Sequence, residues 1–159
     1  MMLTSTQIGE LAAQFFIAGV GTLCFAVLFA CPRKSLFFCG LVGAVGWFVY
    51  ELAVMLGADS AAASLLAVIP LTLLTRVFAI TLKLPVTVFL LSGIFPLVPG
   101  AGIYWTAYYL VTGQMGQAVS SGFVAVKAAI AIVLGIVFVF EIPNSVFHLR
   151  EKRRKTAAH

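Results

Sequence analysis

The sequence predicts an all-α membrane protein that crosses the bilayer with five helices, the fourth of them broken. The chain has 159 residues, of which 62% are hydrophobic and only 9% are charged. A water-soluble fold of this size must cover its core with more polar surface than such a composition allows. The chain contains five apolar stretches, each at least as long as the roughly 20 residues that cross a bilayer as a helix. Prolines and glycines interrupt the fourth stretch near its middle, where they are incompatible with one regular helix.

The five predicted spans follow one another with short connections. They cover about residues 9–31, 36–56, 61–82, 84–112 and 120–142. The first apolar run is too long for the hydrophobic region of a signal peptide, so we expect it to remain as a span. We therefore expect one membrane domain over residues 1–143 and a basic cytoplasmic tail over residues 144–159.

The distribution of basic residues predicts the orientation of these spans. Arg33 and Lys34 lie in the first connection and Lys83 lies after the third span. The tail contributes five more basic residues, which are Arg150, Lys152, Arg153, Arg154 and Lys155. The N-terminal segment and the other two connections contain no Lys or Arg. Since basic loops face the cytoplasm, the C-terminus is expected inside and the N-terminus outside. The net charge of +5 thus reflects orientation rather than nucleic-acid binding.

The fourth stretch is too long for a simple crossing. As one helix, its 29 residues would extend roughly 43 Å, against a hydrocarbon core of roughly 30 Å. Two pieces, about 85–94 and 101–112, would each cross about half of the membrane, with the break near the midplane. A single tilted and kinked helix is the alternative interpretation.

A break of this kind predicts a substrate site. Pro96 and Pro99 remove the usual helical donors from the carbonyls of Ser92 and Phe95, which are then acceptors for a cation or an ammonium group. The N–H groups that begin the second piece form a positive helix end, which suits a carboxylate. Many transporters bind substrate at broken helices near the midplane. The predicted substrate-binding residues are Ser92, Phe95, Pro96, Pro99, Gly100, Ala101, Gly102, Tyr104 and Arg76.

Several charged and aromatic residues within the spans allow two interpretations each. Arg76 either extends its side chain to the cytoplasmic surface or pairs with an anionic substrate. Glu51 either lies shallowly near the interface or faces a cavity, and Lys127 either snorkels to the surface or faces a cavity. Tyr108 and Tyr109 either form an interfacial belt or help to wall the site. Glu141 is expected to form a salt bridge with the basic tail.

The remaining features concern packing rather than chemistry. Small residues recur every four positions at Ala18, Thr22, Ala26 and Ala30, and Gly40 and Ala44 repeat the pattern in the second span, which predicts close helix contacts. The three cysteines lie far from both histidines, so we expect small buried apolar side chains and no metal or cofactor. The sequence contains no catalytic motif, and we do not predict an enzyme.

Several segments resemble the threonine/serine exporter (ThrE) family. They are Gly46-Trp47-Phe48-Val49-Tyr50, Arg76, Leu84-Pro85-x-Thr-x-Phe89 and Gly93-Ile-Phe-Pro-Leu-Val-Pro-Gly100 with Tyr104. The resemblance extends to about Pro143 and is to the small stand-alone unit that is equivalent to the C-terminal membrane half of the fused exporter. It implies a bacterial inner membrane and a larger ThrE-type partner subunit. It also implies a small-molecule substrate, either threonine and serine or dicarboxylates such as succinate.

The sequence thus supports two main hypotheses of function. The first is the small subunit of a two-component exporter of small hydrophilic acids, without cofactor, metal or nucleic acid, and with homo-oligomers as a further arrangement. The second is a membrane subunit that does not transport but scaffolds or regulates a partner. A channel is less well supported, because no ring of polar residues repeats along any span.

Overall fold

The computed structural model describes residues 5–143 and, within them, contains α-helices, short 3₁₀ turns and no strand. The six α-helices are α1 (Ser5–Leu28), α2 (Leu36–Met55), α3 (Ser60–Leu82), α4 (Val86–Ile94), α5 (Gly100–Val111) and α6 (Met115–Phe140). The two 3₁₀ turns are Arg33–Ser35, before α2, and Phe95–Leu97, after α4. The all-α prediction is confirmed. The predicted basic tail lies outside the described residues.

The helices account for the five predicted crossings. Four of those in the described range, α1, α2, α3 and α6, are each long and apolar enough to span a membrane. The fifth crossing is a bent pair, in which Val86–Leu97 and Gly100–Val111 meet at 52°. This bend excludes the interpretation of residues 84–112 as a single kinked helix. The two pieces agree within one residue with those that the prolines predict.

Helix α2 occupies the centre of the bundle. It contacts α1, α3 and α4, while α3 also contacts α4 and α6. The predicted close packing of small residues is confirmed between α1 and α2, where Thr22 is fully buried against Gly43. A β-carbon at Gly46 would lie 2.6 Å from Leu71 Cδ1, so the Leu71 side chain of α3 packs directly on the α2 backbone there. The small-residue pattern ends at Ala26, because Ala30 has a positive φ and lies beyond the end of α1.

The cysteines differ partly from the prediction of burial. Cys39 is buried, Cys31 is partly buried, and Cys24 is exposed on α1. A helix with an all-apolar circumference gives no sequence signal for which of its faces packs on neighbours and which faces lipid. The burial of a single small residue such as Cys24 is therefore not specified by the sequence.

The bundle has two ends, which we name by their turns. The Asp59 end carries the turn between α2 and α3, and the Lys83 end carries the turn between α3 and α4. Helix α1 runs antiparallel to α2, with the ring of Phe15 beside that of Phe48, so its N-terminal part also lies toward the Asp59 end. Three helices of the bundle thus share this end.

Helix α6 runs parallel to α3 but is displaced toward the Asp59 end. Gly135 packs on Val68, and Lys127 pairs with Asp59, directly before the first residue of α3. The 12 residues of α6 that precede Lys127 therefore extend roughly 18 Å beyond the start of α3. Helix α5 packs alongside this extension, where Thr106 contacts Gly122. We call residues 100–126 the α5–α6 hairpin.

Candidate functional site

The broken fourth span leaves its backbone largely hydrogen-bonded. The Ser92 carbonyl accepts the N–H of Phe95, and the Phe95 carbonyl accepts the N–H of Val98 at 3.2 Å. The expectation that both oxygens lack donors therefore needs correction. The 3₁₀ turn Phe95–Leu97 replaces the usual i to i+4 bonds with i to i+3 bonds, which the missing proline N–H groups do not prevent.

A cavity of about 400 Å³ lies directly against the break. Five of the predicted site residues line it, which are Pro96, Pro99, Gly100, Ala101 and Gly102. The opposite walls come from α2, α3 and α6, through Trp47, Tyr50, Ser60, Ser64, Val124, Ala125 and Ala128. Leu97 and Val98 complete the lining. The irregular backbone thus lines a cavity, as irregular backbone at membrane depth must do unless protein buries it.

The break lies at the middle depth of the bundle. Leu97 is buried in one apolar cluster with Val68 and Leu71, which are near the midpoint of α3. Ser60 and Ser64 begin α3, so the cavity extends from this depth toward the Asp59 end.

Hydroxyl groups give the cavity wall a polar strip. The hydroxyls of Tyr50 and Ser60 are 3.4 Å apart, and Ser64 Oγ donates to the Ser60 carbonyl at 2.7 Å. Trp47, also in the lining, donates its indole N–H to Gln14 Oε1 of α1 at 3.0 Å. The aromatic rings of Trp47 and Tyr50 stack with centroids 5.3 Å apart. This wall combines a flat apolar surface with groups that hydrogen-bond a small polar solute.

The facing wall is the N-terminus of α5. Its N-cap is Pro99, which makes no side-chain cap hydrogen bond. The Ile103 N–H bonds to the Pro99 carbonyl at 3.1 Å and the Gly100 N–H bonds to the Val98 carbonyl at 2.7 Å. Between them, the first-turn N–H groups of Ala101 and Gly102 belong to residues that line the cavity. The positive end of the α5 dipole is therefore directed to the cavity side of the break.

Four predicted site residues do not line the cavity. Ser92 is fully buried, and its hydroxyl donates to the Val88 carbonyl at 2.9 Å. The ring of Phe95 lies 4.0 Å from that of Phe25, so it packs on α1. Tyr104 is 61% exposed on the surface of α5. These three side chains support or flank the break, but they do not face the cavity.

Arg76, the fourth, lies near the other end of α3. It is only 5% exposed and donates a hydrogen bond to the Val139 carbonyl, in the last turn of α6. Its guanidinium is 5.8 Å from the centre of the Phe140 ring. The distance along α3 from Ser60 to Arg76 is about 24 Å. Arg76 is thus placed to satisfy a carbonyl at a helix C-terminus, where cations are favourable.

An ion pair beside the cavity was not predicted. Lys127 Nζ lies 3.1 Å from Asp59 Oδ2. Asp59 also caps α3 by accepting the N–H of Ala62 at 3.0 Å. This backbone hydrogen bond and, after it, the Lys127 ammonium hold the pKa of Asp59 below its usual value. Lys127 thus reaches the exposed turn between α2 and α3, where Asp59 is its partner, and it is not among the residues that line the cavity.

Sequence reasoning missed most of the walls that α2, α3 and α6 contribute. Ser60 and Ser64 carried the clearest signal, because polar residues spaced by four lie on one face of a helix. Trp47 and Tyr50 appeared only within a segment of family resemblance. Val124, Ala125 and Ala128 are indistinguishable in type from lipid-facing residues, and only tertiary packing identifies them.

A polytopic helical membrane protein with a broken span beside a mid-depth cavity has the architecture of a transporter. Comparison with protein families agrees with this class. The family described as "Threonine/Serine exporter, ThrE" matches residues 14–142, which is most of the chain. The chain therefore belongs to the threonine/serine exporter ThrE family. Comparison with curated proteins and with solved structures gives no match.

Proposed function

We propose that this protein is the small membrane subunit of a two-component exporter of small hydrophilic acids. The substrates are threonine and serine, or dicarboxylates such as succinate, and the cavity at the break is their binding site. The observation that carries the proposal is the pairing of two unlike walls around one cavity: a helix N-terminus on one side and a hydroxyl strip on the other.

The chemistry of these walls matches a small acid. A carboxylate is favoured at the N-terminus of α5, where backbone N–H groups and the helix dipole act together. The hydroxyls of Tyr50 and Ser60 donate to or accept from the rest of the solute. A volume of about 400 Å³ holds an amino acid or a four-carbon diacid together with water, and it lies in the usual range of ligand sites.

A partner subunit is supported by the exposure of the α5–α6 hairpin. Helix α5 contains no buried residue and packs mainly on α6. Large apolar residues are exposed on both helices, namely Ile103, Tyr104, Trp105, Tyr108, Leu110, Val111, Met115, Val119 and Phe123. Contact with another protein would cover this surface.

The proposed partner is a larger ThrE-type subunit of opposite topology. In a fused transporter, a five-crossing half that ends outside the cell would be followed by a second five-crossing half that begins outside. The two halves then have opposite topologies, as in inverted-repeat transporters. The basic connections Arg33–Lys34 and Lys83 lie at one end of the bundle, so we assign the Lys83 end to the cytoplasm. Since this charge asymmetry specifies one orientation in the membrane, it disfavours a pair of identical copies inserted in opposite orientations.

Transport by purified components tests the proposal. Proteoliposomes containing this chain, the larger partner or both are loaded with labelled threonine or succinate, and efflux is measured. Efflux of at least one substrate that requires both proteins is the expected result. Absence of efflux of every small acid, with both proteins inserted in equal amounts, would contradict it.

The exposed hairpin also favours the alternative that the chain is a scaffold or regulatory subunit. The two functions differ in how they depend on the cavity. A scaffold tolerates a cavity that is filled, for example by Ser64→Phe, as long as the complex assembles. An exporter subunit with the same substitution loses efflux while it remains bound to its partner.

A further inference from the structure

Each residue of the Lys127–Asp59 ion pair is close in sequence to residues that line the cavity. Ser60, which follows Asp59, lines the cavity, and so do Val124 and Ala128, which flank Lys127 on α6. At 100° per residue, the lining residues of α6 span about 100° of its surface and Lys127 lies about 60° outside that span. The pair therefore lies beside the cavity at the Asp59 end, next to residues that line it.

This ion pair is poorly suited to a purely structural role. The Lys127 side chain is 42% exposed and that of Asp59 is 59% exposed. Exposed pairs of this kind add little to stability, because solvent screens the attraction and two mobile side chains must be ordered. The Lys127 ammonium also lies 5.7 Å from the centre of the Phe123 ring. A cation that is partly solvated and held by one carboxylate can exchange that carboxylate for another with little loss of interaction free energy.

We propose that Lys127 recognises a carboxylate of the substrate at the rim of the cavity, and that Asp59 forms an ion pair with Lys127 when no substrate is bound. This inference rests on the proposed function and assigns to it a specificity residue. The incoming carboxylate makes the same ammonium–carboxylate contact that Asp59 makes in the structure. Asp59 is thus an internal competitor, and Lys127 is the group for which it competes.

The position of Lys127 also bears on substrate class. The α5 N-terminus and Lys127 supply two separate groups that favour negative charge, one at the break and one at the rim. A dicarboxylate engages both, whereas threonine has one carboxylate and engages them one at a time. Removal of Lys127 should therefore affect a dicarboxylate more than a neutral amino acid.

Two single substitutions separate this role from that of a clamp between α3 and α6. Lys127→Gln and Asp59→Asn break the same ion pair, so a clamp predicts changes of the same sign. Recognition predicts opposite signs. We expect Lys127→Gln to raise the KM for succinate about tenfold or more, which corresponds to the loss of a charge-assisted hydrogen bond. We expect Asp59→Asn to lower this KM several-fold, because it removes the competitor.

Asp59→Asn is a conservative test because asparagine caps helices as well as aspartate does, so the bond to Ala62 is retained. Lys83→Gln, at the opposite end of the bundle, is the matched control and should leave both KM values unchanged. Lys127→Arg should retain most of the succinate affinity. All variants are compared at equal levels in proteoliposomes with the partner, with succinate and threonine as substrates.

A binding measurement distinguishes failure of this inference from failure of the proposed function. Succinate should raise the unfolding temperature of the detergent-purified complex, more for Asp59→Asn and less for Lys127→Gln than for wild type. If the wild type neither transports nor binds any small acid, the proposed function fails and this inference fails with it. If the wild type transports, equal effects of Lys127→Gln and Asp59→Asn, or no effect of either, would overturn the role of Lys127 alone.

Discussion

Arg76 shows how a cation within an apolar helix can serve the fold. A charge inside a predicted span is a functional candidate by default, and the sequence left open whether Arg76 meets a substrate or the membrane surface. In the structure it is buried and donates to a carbonyl in the last turn of α6, about 24 Å along α3 from the cavity wall. This position favours a role in joining α3 to α6.

We therefore expect Arg76→Gln to destabilise the protein by about 2 kcal/mol, the usual contribution of a hydrogen bond from a charged group. Substrate affinity of the folded protein should be unchanged, because Arg76 is not part of the cavity lining. Thermal unfolding in detergent and the KM for transport are the measurements. A raised KM at unchanged stability would instead place Arg76 in the substrate path.

Gly43 offers a second test at this scale. A β-carbon there would overlap the β-carbon and both γ-atoms of Thr22 of α1, which is fully buried. Gly43→Ala should cost about 1–3 kcal/mol through overpacking. Gly21→Ala is the control, since nothing lies within contact distance of its added β-carbon. Equal thermal stability of the two variants would show that α1 and α2 do not pack in this way.

The ionised carboxylate of Asp59, at the N-cap of α3 and beside Lys127, predicts a dependence of stability on acid. Its pKa is lowered in the folded protein, so its contribution is present above the unfolded value of 3.8 and is lost as pH falls through the lower folded value. The stability difference between wild type and Asp59→Asn should thus be constant from pH 6 to 8 and diminish below about pH 4. Thermal unfolding across this range measures it, and a difference that persists at pH 2 would show that the Asp59 charge is not its source.

At the scale of helices, the broken fourth span determines the shape of the cavity. The prolines predicted its two pieces within one residue, because the missing N–H and the ring clash act locally. The same local reasoning failed for the Ser92 and Phe95 carbonyls, which find donors three residues ahead in a 3₁₀ turn. The sequence specified where the helix stops, but it did not specify how the backbone between the pieces is satisfied.

Replacing Pro96 and Pro99 together with alanine tests the importance of the break. Each change favours a regular helix by roughly 3 kcal/mol, so α4 and α5 should tend to join. The N-terminus of α5 would then no longer face the cavity, and efflux should fall to background while insertion and assembly are normal. Pro70→Ala is the control, since Pro70 lies inside α3 without breaking it. Full transport by the double variant would reduce the break to a kink without function.

At the scale of the whole molecule, the displacement of α6 relative to α3 is the feature least accessible to sequence. Span lengths and loop charges predicted five crossings, and the described helices account for them. They could not predict that α6 is shifted along α3, because two apolar helices pack at many offsets with similar burial. The contacts that fix this offset, such as Gly135 on Val68, are specific to the tertiary structure.

This displacement predicts where the partner binds. Single cysteines at Val119 and Phe123, both largely exposed on the α5–α6 hairpin, should cross-link to the larger subunit. A cysteine at Leu66, which is also exposed but lies on α3, is the control. Cross-linking of Val119→Cys only to a second copy of this chain would favour a homo-oligomer, and equal reaction at Leu66 would indicate no preferred face.

The attachment of α5 has a mechanical consequence. One wall of the cavity is formed by α5, which packs on α6 through the contact of Gly102 with Ala125. Two residues of the opposite wall, Trp47 and Tyr50, belong to α2, which is tightly packed in the bundle. Between them the chain passes through Val98 and Pro99, which are not helical. Helix α5 therefore joins α4 through non-helical backbone, whereas the α6 side of the hairpin continues without a break into the part of α6 that packs on α3. A displacement of α5 relative to α2 and α6, applied by a partner, would widen or narrow the cavity without repacking the interface between α1 and α2.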